Sequence, residues 1–96
     1  MPTNYEFDKN IHILTNKLQV GLFDEVIPAA KKLLKVSKDQ ILFNILSLAY
    51  QGKGDYNNSI NLLKKALKSN PKNIFFLNNI GLSYFKKNEL IKAEYY

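Results

Sequence analysis

Ninety-six residues make at most one domain, and 46% hydrophobic content with a formal charge of +6 describes a basic chain that can fold. Cysteine is absent, which excludes a disulfide framework, a thiolate nucleophile and any zinc site built on Cys, and fits a reducing, cytoplasmic setting. All 14 basic residues are lysine, so arginine, the preferred bidentate reader of phosphate and guanine, is missing.

The chain reads as a succession of helices. Thr3-Asn4-Tyr5-Glu6 has the form of a capping box, and a first helix is expected from about Asn4 to Gln19, with Ile11, Leu14 and Leu18 on one face. Gly21 stops it. A second helix is expected from about Phe23 to Val36, with Asp24 and Glu25 at its positive end. Pro28 lies beyond its first turn and is expected to bend it without breaking it. Asp39 suits the N-cap of a third helix, about Gln40 to Gly52, and Gly52 and Gly54 flank the turn that follows. Asp55 caps a fourth, about Tyr56 to Ser69, closed by Asn70-Pro71. Asn73 caps a fifth, about Ile74 to Lys87. Asn88 is expected to take the left-handed conformation there, so that a short sixth helix starts near Glu89. No strand pattern is present. Apolar runs fall far short of the ~20 residues of a membrane span, and Met1 to Asn10, carrying Glu6 and Asp8, does not read as a secretory signal.

Chemistry-bearing constellations are missing. His12 is the single histidine and reads as a surface residue. Without a second His or any Cys there is no set for metal or triad chemistry. The eight carboxylates are scattered, mostly at helix starts. Asp24 and Glu25 are adjacent, and adjacent helical residues do not converge on one point. Gly52-Lys53-Gly54 is a turn without the rest of a phosphate loop. The chain is read as a non-enzyme, with no cofactor and no metal.

What the sequence does carry is self-similarity at a period of about 34 residues. Asn44, Leu48, Tyr50 and Lys53 align with Asn78, Leu82, Tyr84 and Lys87. Gly21, Ile27, Lys31 and Lys32 align with Gly54, Ile60, Lys64 and Lys65. Leu77-x₂-Ile80-Gly81-x₂-Tyr84 followed by Ala93 resembles the tetratricopeptide pattern, with Leu77 in place of its tryptophan. The preceding unit reads Phe43-x₂-Leu46-Ser47-x₂-Tyr50, then Ser59, Leu63, Ala66 and Pro71. The first unit departs from the pattern, with Asn10 and Lys17 at positions of large aromatics. The resemblance implies an all-α fold: helix-turn-helix repeats stacked as a short right-handed α-solenoid. It forms one domain of units at about 4–38, 39–73 and 74–96, the last truncated.

Tetratricopeptide arrays line a concave groove with the first helix of each pair. Carried over by position, the groove here takes Ile41, Asn44, Ile45, Leu48 and Gln51 from the middle unit and Phe75, Asn78, Asn79, Leu82 and Phe85 from the last. An amide donates and accepts, which suits a peptide backbone. The competing explanation is an Asn-rich composition, with Phe75 and Phe85 packed between repeats. The co-chaperone type of groove clamps a terminal carboxylate with basic side chains; the matching positions here are Ile11, Thr15, Ile45, Phe75 and Asn79, which lack them. The sugar-transferase arrays resemble Asn79-Ile80-Gly81 in their asparagine ladder, but Ile45 stands at the equivalent middle site.

The lysines of the second and fourth helices are expected on a convex, solvated face. The last unit leaves Tyr84, Leu90, Ile91, Tyr95 and Tyr96 without a polar cap, so self-association through these residues is a further expectation. The expected function is a scaffold that binds a peptide or partner protein. The alternatives are an N-terminal module of a larger transferase-type enzyme and a less favoured lysine-rich nucleic-acid-binding module.

Overall fold

The computed structural model describes residues 4–95, and their side chains up to residue 89. Five helices follow one another: α1 Asn4–Gln19, α2 Phe23–Leu34, α3 Gln40–Gly52, α4 Tyr56–Leu67 and α5 Ile74–Tyr95. No strand occurs among the described residues. Neighbours in the chain pack on one another, and α3 also touches α1 and α5, so the helices form stacked antiparallel pairs with α3 in the middle. The stack measures 51 × 30 × 18 Å.

The expected N-caps of α3, α4 and α5 are in place. Asp39 accepts from the Ile41 amide at 3.0 Å, Asp55 from the Asn58 amide at 3.4 Å, and Asn73 from the Phe76 amide at 3.0 Å. Thr3 of the first capping box lies outside the described residues. α2 runs unbroken through Pro28. α2 and α4 each end about a turn's half early, because the last amides tighten to three-residue bonds, Val36 to the Leu33 carbonyl and Ser69 to that of Ala66.

Two buried clusters hold the stack. Val26, Ala30, Leu42, Leu46 and Ala49 are the closed centre of the first; Leu63, Ala66 and Phe76 form the second. Phe43 packs against both and meets Phe76 edge-on, ring centroids 6.1 Å apart.

One expectation is corrected. Asn88 does not end a helix: α5 continues as a single helix to Tyr95, and no short sixth helix turns back. The repeat supplies the reason. Gly21 and Gly54 stand at the equivalent turn of the first two units and take φ of 83° and 78°. For a non-glycine residue that conformation costs about 1–2 kcal/mol. No non-glycine residue among those described adopts it, and Asn88 stays helical.

Candidate interaction surface

α3 and α5 are the helices on which the sequence places a groove. Their positions repeat in register, Ile41 with Phe75, Asn44 with Asn78, Leu48 with Leu82. Residues at these spacings share one helix face. The structure leaves that face open. Phe75 is 69% and Phe85 60% exposed, and Ile41, Leu48, Leu82 and Asn78 are exposed as well. Neither phenylalanine is packed between repeats. No described residue is hydrogen-bonded to the Asn78 amide, whereas the Asn44 carbonyl oxygen accepts from the Asn79 amide at 3.5 Å. α3 contains no Asp, Glu, Lys or His, and α5 contains none before Lys86.

Two expected groove residues are withdrawn from this surface. Ile45 is buried in the first cluster. Gln51, only 5% exposed, donates through Nε2 to the Ser83 hydroxyl at 2.8 Å and to the Asn79 carbonyl at 3.1 Å. The Ser83 hydroxyl donates in turn to Ser59 at 3.1 Å. A buried amide left without partners is costly, so Gln51 is consumed in joining α3, α4 and α5. Sequence reasoning missed Ser59 and Ser83 as its companions. The available signal was a polar residue aligned with Phe85 in a helix otherwise rich in apolar residues.

Positions matching the carboxylate clamp carry no cation. Thr15 turns its hydroxyl to the Ile11 carbonyl at 2.8 Å, and Ile11 packs on the core. His12 is exposed. No cluster of His, Cys, Asp and Glu suited to a metal occurs among the described residues, and no helix there is long and apolar enough to cross a membrane.

A second open face runs along α5 through Ile74, Leu77, Gly81 and Tyr84. In the middle unit the residues equivalent to Leu77, Gly81 and Tyr84 are covered: Ser47 is fully buried, Tyr50 nearly so, and Phe43 partly. α2 and α4 both pack on α3 there. Among the described residues no turned-back helix covers α5, and Leu77 is 49% and Tyr84 40% exposed. Leu90, Ile91, Tyr95 and Tyr96, also expected at this end, lie outside the described side chains.

These are stacked helical repeats with an uncharged inner face. Residues 48–88, from the middle of α3 through α4 to Asn88, match the family model described as TPR repeat. That stretch is a tetratricopeptide-type repeat, and the chain is similar to the tetratricopeptide-repeat family over those residues. No curated protein and no solved structure matches it. The repeat supports a protein-interaction module in general terms, and such modules are typically non-catalytic scaffolds.

Proposed function

We propose that the chain holds a peptide segment of a partner protein along the α3–α5 face. The observation that carries this reading is the exposed, uncharged stripe of Ile41, Leu48, Phe75, Leu82 and Phe85, interleaved with the Asn44 and Asn78 amides. Exposed large apolar residues in one contiguous stripe are unusual on a monomer and mark interaction sites. The amides supply directional bonds to a peptide backbone while the apolar residues supply burial. The occupant is an extended or helical peptide with apolar side chains.

Selection from a displayed random-peptide library against the wild-type protein tests this. Enriched peptides should lose at least about tenfold in affinity for Phe75→Ser/Leu82→Ser, since each truncated apolar contact is worth roughly 1–3 kcal/mol. Peptides that bind both proteins alike would place the site elsewhere.

A second reading is self-association through the Ile74, Leu77, Gly81 and Tyr84 face. It is favoured by the burial of the equivalent residues in the middle unit. Light scattering coupled to size exclusion should then show a dimer that persists in high salt and dissociates in Leu77→Glu. A monomer at every workable concentration sinks it.

A further inference from the structure

The outer helices α2 and α4 are not packed on each other; each rests on α3. Between them lies an open trough of about 510 Å³, floored by Leu46 and Tyr50 of α3. Past Leu34 and Leu62 it runs on into a further 450 Å³ reaching Phe43 and Ala66. The sequence places these lysines on a plain convex surface; the structure places them around a cleft.

Six lysines rim it. Lys31, Lys35 and Lys38 stand on the α2 side and Lys64, Lys65 and Lys68 on the α4 side, and no carboxylate lines the trough. Among the described residues the ion pairs are Lys17–Glu25 and Lys53–Asp24, neither of which involves a trough lysine. Lysines near helix C-termini complement the helix dipole, and Lys38 does donate to the Leu34 carbonyl at 2.7 Å. Each helix end offers only about half a negative charge, however, against three lysines per wall. The excess positive charge calls for an anionic occupant.

We infer that the trough between α2 and α4 is a docking site for an acidic peptide segment of a partner protein that also carries leucine-like side chains. The charge on the rim selects carboxylates. The floor of Leu34, Leu46 and Leu62 selects apolar side chains between them. Asn58 and Asn61 on the α4 wall present amides that bond to a peptide backbone. Nucleic acid is the poorer fit. Base stacking needs an open aromatic face, but Tyr50 is 8% exposed and lies beneath the Lys31 ammonium, 5.7 Å from its centroid. The same cation–π contact, with that of Lys64 over Tyr84 at 5.5 Å, holds two of the rim charges in position.

The test is a titration of ¹⁵N-labelled protein with a synthetic peptide of alternating Glu and Leu, its Gln/Leu counterpart, and oligothymidylate. The Glu/Leu peptide should shift the amides of Leu46, Tyr50, Asn61 and Leu62. It should bind about tenfold more weakly to Lys35→Glu/Lys65→Glu, whose exposed positions leave the fold intact, because two rim contacts turn repulsive. Leu62→Ala should weaken the peptide and leave oligothymidylate unaffected. Phe75→Ser/Leu82→Ser should leave the peptide's affinity unchanged, which separates this site from the α3–α5 face. Four results overturn the inference: no binding, equal binding of the Gln/Leu peptide, tighter binding of oligothymidylate at the same salt, or shifts that map to Phe75, Leu82 and Phe85.

Discussion

Gln51 and Ser83 join the two inner helices through a buried hydrogen bond of 2.8 Å, in which the Gln51 amide donates to the serine hydroxyl. Gln51→Ala removes the donor of two bonds, to Ser83 and to the Asn79 carbonyl, and opens a gap at a 5% exposed site. A loss of about 1–3 kcal/mol is expected in urea unfolding. Gln51→Leu/Ser83→Ala, which removes both polar groups, should cost less than the sum of its single changes. Simple additivity in that cycle would mean that the two residues are not coupled.

Phe75 and Phe76 are adjacent in sequence and opposite in fate. Phe76 is fully buried against Leu63 and Phe43, and Phe76→Ala should cost about 3–5 kcal/mol. Phe75→Ala should change stability by less than about 0.5 kcal/mol while weakening groove ligands. Thermal melts of the two variants decide this directly.

Gly52 ends α3 against the edge of the Phe23 ring. A Cβ there would fall 2.2 Å from Phe23 Cζ. Alanine is favoured over glycine in a helix by about 1 kcal/mol, yet Gly52→Ala should destabilise by about 1–3 kcal/mol because the ring must move. Phe23→Leu in the same chain should restore part of the loss. An alanine variant that melts higher than wild type would show that the ring yields freely.

Lys53 and Asp24 form an exposed ion pair between the α3–α4 turn and the start of α2. The hydrogen bond that Lys53 donates to Asp24, and then the charge of Asp24, hold the Lys53 ammonium above the ordinary lysine range. A raised folded-state pKa gives stability that is present at neutral pH and is lost as pH climbs through the raised value. Asp24→Asn should therefore narrow its difference from wild type only at strongly alkaline pH. Because the pair is open to solvent, that difference should be small throughout and smaller in salt.

Asn88 replaces the glycine of the first two units. Asn88→Gly should let the chain reverse there, and Cα chemical shifts should lose their helical signature around residue 88. Unchanged helical shifts would mean that the preceding contacts of α5, not the residue at the turn, keep the helix running.

Helix starts were legible because Asp39, Asp55 and Asn73 act within one turn of chain, where neighbouring backbone is the only partner needed. The open stripe was legible too, since Phe75, Asn78 and Leu82 share a face by geometry alone. The role of Gln51 was not, because its partners Asn79 and Ser83 come from α5, with Ser59 of α4 behind Ser83, and local pattern is silent on them. The lysine trough was hidden for a related reason: it exists because α2 and α4 stand apart, a spacing set by α3. The continuation of α5 was written in the series Gly21, Gly54, Asn88, but an isolated asparagine also reads as a helix stop.

Gly21 and Gly54 have open space where a side chain would begin, yet both hold positive φ. What excludes other residues there is chirality, unlike the crowding at Gly52. A D-alanine introduced by semisynthesis at either turn matches the torsion the backbone already holds. It would remove freedom from the unfolded chain and stabilise the fold by up to about 1 kcal/mol. L-alanine in the same empty space would be strained, so the turn inside each of these two helix pairs distinguishes a residue from its mirror image.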